Sequence, residues 1–297
     1  MTKLRIGVIG LSGKWSTELL ADAVYARTGQ RDIIDLTQVV ADLARGSLHY
    51  QQRNLADYDA LIIKKVSEQY QPLMLDRLAL LRLISPAKTR IFSTPDAIMR
   101  LVDRLACTLT LKQAGIPMPP TLITENHQAA FEAVIDYGQA ILKPLYSTKA
   151  KGMEYLDARQ PSKKLRHQLD QFHRQYGFYY VQKKLDLPGQ DLGVMFLGGE
   201  YQGSYARLSP QNGWNTSTAN GGKYAPGDPD DATLAIAQQA QALFQLDYTT
   251  VDMAQTEDGP VCFEVSAFGG FKGAYEGLNI NMAQRYVDYV IQQLGTN

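Results

Sequence analysis

The stretch TTVDMAQTEDGPVCFEVSAFGG, residues 249–270, decides the fold of the C-terminal part of the chain. Two apolar runs flank the turn sequence Glu-Asp-Gly-Pro at 257–260, which predicts a β-hairpin. Asp252 and Glu264 lie inside these runs, and a buried carboxylate costs several kcal/mol unless it is paired or binds a metal. Facing each other across the hairpin, the two carboxylates suit Mg²⁺. The alternative is that both point to solvent from an exposed face of the sheet.

A lysine at the end of another predicted strand carries the second signal. Lys143 ends the apolar run of residues 140–143 and precedes Pro144 and a loop with Lys149 and Lys151. Lysines around a flexible loop suit a phosphate group. The alternative is a lysine at the sheet edge that simply extends its charged end into water.

The first third of the chain alternates predicted strands and helices. The strands cover residues 4–9, 33–36, 58–64 and 89–92, and the helices cover residues 15–27, 37–44 and 73–83. This alternation is typical of a parallel sheet with helices on both faces. Pro95, with Thr94 as N-cap, is predicted to begin a long helix that reaches Ala114. We therefore predict one domain over residues 1–95 and a second over residues 96–297.

The remainder is predicted to be α+β with antiparallel hairpins. Its strands cover residues 140–143, 153–156, 179–183, 191–196, 201–207, 248–254 and 261–265, and its helices cover residues 129–137, 162–176, 231–246 and 281–294. Residues 209–228 are rich in Gly, Asn, Ser and Thr and have no apolar periodicity. An internal loop of this length is often functional.

The composition excludes several classes of protein. Of 297 residues, 45% are hydrophobic and 20% are charged, as in a globular domain rather than a disordered chain. The 30 basic and 30 acidic side chains balance, so no net charge favours nucleic acid or an anionic membrane. No apolar run approaches the ~20 residues that span a bilayer. The 2 cysteines form no disulfide framework, so we expect a cytoplasmic protein.

The order and spacing of the charged segments resemble the ATP-grasp family, and within it the RimK-like branch of carboxylate–amine ligases. The segments that carry the resemblance are Val102–Leu105 with Gly115–Pro119, Leu142–Pro144, Val181–Leu185, Asp252 with Glu264, and the glycine-containing loop of residues 266–277. The form Glu-Val-Ser-Ala-Phe-Gly-Gly-Phe at 264–271 is also similar to the GAK-system ATP-grasp subgroup. The resemblance implies a parallel-sheet α/β pre-ATP-grasp domain followed by an ATP-grasp domain with lobes over residues 96–183 and 184–297.

The resemblance also implies a role for individual residues. The implied ATP ligands are Arg104 and Lys143 at the phosphates, the hinge backbone of Lys183 and Lys184 at the adenine, Asp191 at the ribose, and Asn215, Thr216 and Ser217 at the triphosphate. The implied metal ligands are Asp252, Glu264 and Ser266, with Mg²⁺ as the ion and Mn²⁺ as an alternative. Arg207 and Gly270 are implied to stabilise the oxyanion of the reaction.

The implied chemistry is transfer of a phosphoryl group from ATP to a carboxylate, followed by attack of an amine on the acyl phosphate. The products are an amide, ADP and phosphate. The partners implied are small-molecule or peptide carboxylate and amine substrates, with neither nucleic acid nor membrane among them, and a homo-oligomer stays open.

Two departures from the family pattern keep other functions open. Ser266 stands where the family has a metal-binding asparagine, and residues 146–151 lack the glycines of the family's phosphate loop. Lys183 also replaces the acidic residue that begins the family's hinge. The alternatives are a non-catalytic ATP-binding regulatory or assembly protein, and a phosphotransferase that stops after phosphorylation.

Overall fold

The computed structural model describes residues 4–209 and 222–295 of the chain. The strands are β1 (Ile6–Ile9), β2 (Asp32–Ile34), β3 (Val39–Asp42), β4 (Ser47–Tyr50), β5 (Arg53–Asn54), β6 (Ala60–Ile63), β7 (Arg90–Phe92), β8 (Thr121–Thr124), β9 (Gln139–Leu142), β10 (Glu154–Asp157), β11 (Tyr179–Lys183), β12 (Gln190–Leu197), β13 (Glu200–Leu208), β14 (Lys223–Pro226), β15 (Tyr248–Thr256) and β16 (Gly259–Val265). The helices are α1 (Trp15–Thr28), α2 (Leu73–Leu80), α3 (Pro95–Val102), α4 (Arg104–Gln113), α5 (His127–Tyr137), α6 (Ser162–Tyr176), α7 (Asp231–Ala242), α8 (Lys272–Leu278) and α9 (Met282–Gly295). Short 3₁₀ turns cover Leu36–Gln38, Leu55–Asp57 and Leu81–Leu83.

The first third of the chain forms the predicted parallel sheet, in the order β2–β1–β6–β7. Every residue of β1 and β6 is buried, which explains their continuous runs of Ile, Val and Leu. Gly10 follows β1 and Lys64 follows β6, so both lie at the carboxyl edge of this sheet. In open parallel sheets, that edge is where ligands bind.

The helix predicted over residues 37–44 is wrong. The chain instead forms β3, which pairs antiparallel with β4, and β4 pairs with β5 in a small separate sheet. Val39 and Val40 are β-branched and favour a strand. The Asp42 side chain accepts hydrogen bonds from the backbone N–H groups of Ala44 and Arg45 and so forms the turn into β4.

The single helix predicted from residue 95 to residue 114 is divided in two. Thr94 caps the start of α3, as predicted, by accepting a hydrogen bond from the backbone of the first turn. Asp103 has an extended backbone (φ −86°, ψ 111°) and its carboxylate caps α4. The break makes Arg104 the first residue of α4 and places it in a buried position.

Two antiparallel sheets make up the rest of the fold. The smaller has the order β10–β9–β11–β8, with α5 and α6 packed on it, and the larger has the order β14–β13–β12–β15–β16, with α7 packed on β15 and β16. The predicted strands of this part are confirmed within one or two residues. The sequence analysis missed β8, β14 and α8.

The smaller antiparallel sheet has a hydrophobic core of its own, whereas the larger one does not. Side chains of α5, α6, β9, β10 and β11 form the first core, with Phe172 fully buried in it. The larger sheet shares two clusters with the N-terminal sheet: Leu61 belongs to the same cluster as Met253, and Phe92 to the same cluster as Tyr248. We call residues 121–183 the small lobe, and residues 190–209 with 222–295 the large lobe.

Within residues 4–209 and 222–295, no helix combines the length and the apolar character of a transmembrane span.

Candidate active site

The two carboxylates of the β15–β16 hairpin are cross-strand partners, as the hairpin predicts. Asp252 lies opposite Glu264 in the register of β15 and β16, and a bulge follows Asp252. The Asp252 side chain is 14% exposed and the Glu264 side chain is 39% exposed. The alternative of two freely solvated carboxylates is wrong, because an arginine binds each of them.

Arg104 binds Glu264 and also reaches the small lobe. Its Nη1 donates to Glu264 Oε2 at 2.8 Å, and its Nε donates to the Pro144 carbonyl at 3.1 Å. Its Nη2 donates to the Ser147 hydroxyl at 3.2 Å. Arg104, the implied phosphate ligand, therefore lies between the lobes. It is hydrogen-bonded to the loop that follows β9 and to the Glu264 carboxylate of β16.

Arg207 binds two carboxylates of the large lobe. Its Nε and Nη2 donate to the two oxygens of Asp191 at 2.9 and 2.7 Å, and Nη2 lies 3.1 Å from Asp252 Oδ2. Asp191 and Arg207 are direct cross-strand partners in β12 and β13, because a bulge between Met195 and Phe196 shifts the register that the Gly198–Gly199 turn begins by one residue. Asp191, Arg207 and Asp252 therefore form one ionic cluster. The resemblance implies these residues as the ribose, oxyanion and metal ligands, respectively.

The two facing carboxyls have opposite pKa shifts. Burial raises the pKa of Asp252 to about 7, and the negative charge of Glu264 adds to the rise while Arg207 opposes it. Burial acts in the same direction on Glu264, but Arg104 and Lys143 outweigh it and hold the pKa of Glu264 below its ordinary value. Burial therefore disfavours the ionised form of Asp252, and a divalent cation at the pair would favour it.

Lys143 follows β9 and faces this cluster from the small lobe. Its Nζ donates to Gln182 Oε1 at 2.5 Å, and Gln182 is buried and bonded in turn to Thr121 at 3.0 Å. Desolvation, with the charge of Arg104, lowers the pKa of Lys143 to about 7, while Glu264, Asp252 and Asp191 oppose the shift. Lys143 therefore does not project freely into water, as a simple edge lysine would.

The hinge residues lie farther from the charged cluster, where the small lobe ends. The Lys183 N–H donates to the Pro120 carbonyl at 2.8 Å and the Lys184 N–H donates to the Gln139 carbonyl at 2.9 Å. Both N–H groups are thus used within the protein. An adenine at this hinge would therefore bind to carbonyl groups, or to the N–H of a later residue.

Ser266 and Gly270 lie on the loop that leaves the sheet after β16. The Ser266 N–H donates to the Thr250 carbonyl at 2.8 Å, and its side chain lines a cavity of about 50 Å³ with Arg104, Ser147 and Glu264. The Gly270 carbonyl accepts a hydrogen bond from the Tyr248 hydroxyl at 3.0 Å. Ser266 therefore lies beside the carboxylate pair, and the hydrogen bond from Tyr248 fixes the Gly270 carbonyl.

A buried lysine of the N-terminal sheet also reaches this loop, and the sequence analysis missed it. The Lys64 Nζ donates to the carbonyls of Phe268, at 2.6 Å, and of Gly269. Burial lowers the pKa of Lys64 to about 7. The available signal was a pair of lysines directly after a fully apolar strand.

The residues at the carboxylate pair fit Mg²⁺. Asp252 Oδ1 is buried and accepts no hydrogen bond from any residue that the structure describes. An anionic oxygen without a partner, beside a second carboxylate, is a typical oxygen ligand for a hard cation. Over the described ranges no three His, Cys, Asp or Glu side chains gather into a ready-made metal site, so nucleotide phosphates would complete the coordination.

Asn215, Thr216 and Ser217, the implied triphosphate ligands, lie outside the described residues, as does most of the loop predicted over residues 209–228. The other predicted site residues fall into three groups. Arg104, Lys143, Asp191, Arg207, Asp252 and Glu264 form one charged cluster, Ser266 and Gly270 lie on the adjoining loop, and Lys183 and Lys184 lie at the end of β11.

Comparison with known proteins identifies relatives over nearly the whole chain. A family model described as the RimK-like ATP-grasp domain matches residues 101–290. The chain is 23% identical to the tetrahydromethanopterin:alpha-L-glutamate ligase of Methanosarcina acetivorans, over 80% of this chain and 81% of that protein. It is 24% identical to the glutamate–LysW ligase ArgX of Sulfurisphaera tokodaii, over 92% and 93%. The fold is similar to that of the ATP-grasp ligase PsnB in complex with a phosphomimetic variant of its minimal precursor, Mg and ADP (TM-score 0.77, 17% identity, 98% and 99% coverage).

Proposed function

This chain belongs to the RimK-like ATP-grasp family, and from that premise we propose that it uses ATP to join a carboxylate to an amine. The carboxylate takes the terminal phosphoryl group of ATP, the amine displaces phosphate from the acyl phosphate, and an amide, ADP and phosphate result. The observation that carries the proposal is the cluster of Asp252, Glu264, Arg104, Arg207 and Lys143 between the lobes. The cluster contains charges for phosphate and metal but no side-chain nucleophile, and this reaction needs none.

The small lobe would hold the nucleotide. Lys143 would turn its Nζ from Gln182 to the phosphates, whose negative charge favours the ammonium form. Arg104 presents a guanidinium that binds phosphate oxygens bidentately, so it can replace the lysine that the family has there. The hinge at Lys183 and Lys184 would contact the adenine, and Asp191 would share one of its arginine-bound oxygens with the ribose.

Asp252 and Glu264 would hold Mg²⁺, with Ser266 as a further ligand on the same side. When bound, the ion would supply positive charge that offsets the negative charge developing during phosphoryl transfer. We propose that Mn²⁺ can replace Mg²⁺, because both prefer oxygen ligands.

Arg207 would stabilise the oxyanion that forms when the amine attacks. Desolvation opposes its charge, but Asp252 and Asp191 outweigh that effect and raise its pKa, so the guanidinium stays ionised. The bidentate contact with Asp191 fixes its orientation before any substrate binds, and preorganised charge is the larger part of such stabilisation. Gly270, on the loop after β16, would contribute its backbone N–H to the same oxyanion.

The names of the relatives favour an amino acid or a peptide among the substrates. Both named relatives are glutamate ligases, so we propose glutamate as the first amine or carboxylate to test. Cys107 and Cys262 are free and buried, which supports a location in the cytoplasm, where thiols stay reduced.

The test incubates the protein with ATP, MgCl₂ and a defined mixture of the twenty amino acids, including glutamate. ADP release is measured, and products are identified by mass spectrometry. We expect ADP release that depends on the mixture, together with an amide product. A stable phosphorylated product would indicate the phosphotransferase alternative, and ATP binding without turnover would indicate the non-catalytic one, so either result contradicts the proposal.

A further inference from the structure

Lys64 connects the N-terminal sheet to the loop after β16 through two hydrogen bonds and a cation–π contact. A lysine ammonium has three N–H donors. Two are used by the carbonyls of Phe268 and Gly269, and Nζ lies 3.8 Å from the centroid of the Phe271 ring, a cation–π contact. The side chain is buried, with 5% of the residue exposed. The lysine therefore binds this loop and is not a solvated surface group.

Tyr248 adds a third contact from the same side of the loop. Its hydroxyl donates to the Gly270 carbonyl at 3.0 Å, and its ring lies beside Lys64, with Nζ 5.7 Å from the centroid. Three consecutive carbonyls, those of residues 268, 269 and 270, are therefore bound by two side chains. We call these residues, together with Phe271, the glycine loop.

Bound carbonyls fix the direction of the N–H groups that follow them. In a trans peptide, the C=O of one residue and the N–H of the next point in opposite directions. The N–H groups of Gly269, Gly270 and Phe271 therefore point away from Lys64 and Tyr248. Over residues 4–209 and 222–295, none of these three N–H groups donates a hydrogen bond. Successive unpaired backbone N–H groups form a concavity that binds anions.

We propose that Lys64 is a positioning residue for the ligase reaction: by holding the carbonyls of Phe268 and Gly269 it turns the N–H groups of the glycine loop toward the oxyanion. The inference rests on the proposed function, because it assigns Lys64 to the loop on which Gly270 is proposed to stabilise that oxyanion. A residue of the N-terminal sheet thereby controls the geometry of a loop about 200 residues later in the chain.

The charge of Lys64 is secondary to its hydrogen bonds. Burial lowers the pKa of Lys64 to about 7. A neutral amine still has two N–H donors, which suffice for the two carbonyls, so the loop keeps its orientation in either protonation state. The essential property is the pair of donors on a long, unbranched side chain.

The decisive variant is Lys64→Met, which keeps an unbranched side chain and removes the donors. Without ligand, the backbone amide NMR resonances of Gly269, Gly270 and Phe271 should shift and broaden, because these peptides lose their fixed orientation, and the resonances of the small lobe should stay unchanged. In the amino-acid mixture assay, kcat should fall about 100-fold, as expected when a reacting group is misplaced by about 1 Å. The KM for ATP should stay within about twofold, because no ATP ligand changes.

Two further variants separate positioning from simple stability. Lys64→Arg keeps donors for both carbonyls and should restore most of the wild-type amide resonances of the glycine loop and most of kcat. Lys65→Met is the matched control, because Lys65 is adjacent and its charged neighbours are Lys14, Lys149 and Glu68. This control should leave the amide resonances of the glycine loop unchanged.

Several outcomes would overturn the proposal. Wild-type amide resonances of the glycine loop and wild-type kcat in Lys64→Met would do so. Resonance changes throughout the chain, with equal losses in kcat and ATP affinity, would also do so, because they indicate a purely structural role. If Lys64→Met does not fold, Tyr248→Phe decides: a shifted or broadened Phe271 amide resonance supports the account, and an unchanged one contradicts it. A wild-type protein without turnover would contradict the proposed function, and the amide resonances would then decide on Lys64 alone.

Discussion

The small lobe and the large lobe are stabilised in different ways, although each supplies part of the site. The small lobe has a hydrophobic core formed within residues 121–183, whereas the large lobe shares both of its clusters with the N-terminal sheet. A lobe with a separate core can rotate as a unit without exposing apolar surface elsewhere. The comparison therefore predicts that the small lobe unfolds or moves independently more readily than the large lobe, which shares its clusters with the N-terminal sheet.

The charges differ between the lobes as well. The large lobe contributes the anionic residues Asp191, Asp252 and Glu264, and the small lobe contributes Lys143. Arg104 binds both, through the Pro144 carbonyl on one side and Glu264 on the other. Arg104 therefore links the two lobes, and a change in their relative position would alter its contacts.

The largest effect is expected from Glu264→Gln in the large lobe. The amide keeps an acceptor for Arg104, so the protein should fold, but the anionic metal ligand is lost. Turnover should fall about 10³-fold, at the upper end of losses for a single electrostatic group. ADP release at saturating Mg²⁺ measures this, and wild-type rates at limiting Mg²⁺ would exclude Glu264 as a ligand. Glu257→Gln, in the adjacent hairpin turn, is the control.

A pair of core variants tests the separation of the lobes. Phe172→Ala, in the small lobe, and Phe244→Ala, in a shared cluster, each remove a buried aromatic ring and should cost about 3–5 kcal/mol. Hydrogen exchange should become faster only within residues 121–183 for the first variant. For the second it should become faster in both the N-terminal sheet and the large lobe. Equal loosening of the whole chain by both variants would contradict separate cores.

Lys143→Met should weaken ATP binding about tenfold or more, since a hydrogen bond to a charged group contributes about 1.5–3 kcal/mol. Desolvation lowers the pKa of Lys143 to about 7, and phosphates would raise it. ATP binding at pH 8 should therefore take up protons, and ATP affinity should fall as the pH rises above 7. Calorimetry in buffers of different ionisation enthalpy measures the uptake. The control variant Lys88→Met, at an exposed site, should keep the wild-type proton uptake. Wild-type proton uptake in Lys143→Met would contradict the assignment of Lys143 as a phosphate ligand.

The smallest effect is expected from Ser266→Asn. A hydroxyl is shorter than the asparagine carbonyl of the family, so water would complete the coordination beside Ser266, which Mg²⁺ tolerates. The asparagine should lower the Mg²⁺ concentration needed for half-maximal ADP release by a few-fold, without loss of turnover. A collapse of activity at unchanged Mg²⁺ dependence would show that Ser266 has another role, such as contact with substrate.

Local patterns predicted much of the site, and long-range packing explains what was missed. The hairpin turn predicts that Asp252 and Glu264 lie on paired strands. Their direct pairing, like that of Asp191 with Arg207, depends in addition on a β-bulge that the turn sequence does not specify. The sequence analysis nevertheless gave these last two residues separate roles. The helix predicted over residues 37–44 is wrong because a short apolar run fits a helix or a strand equally well. Lys64 was missed because its role depends on contact with carbonyls about 200 residues away.

Carrying out the reaction in H₂¹⁸O tests the central claim most directly. The protein is incubated with ATP, Mg²⁺ and the amino-acid mixture in labelled water, and the released phosphate is analysed by mass spectrometry. In an acyl phosphate route the fourth phosphate oxygen comes from the substrate carboxylate, so the account predicts ADP release with unlabelled phosphate. Phosphate that carries one solvent oxygen would mean direct hydrolysis of ATP and would contradict the account.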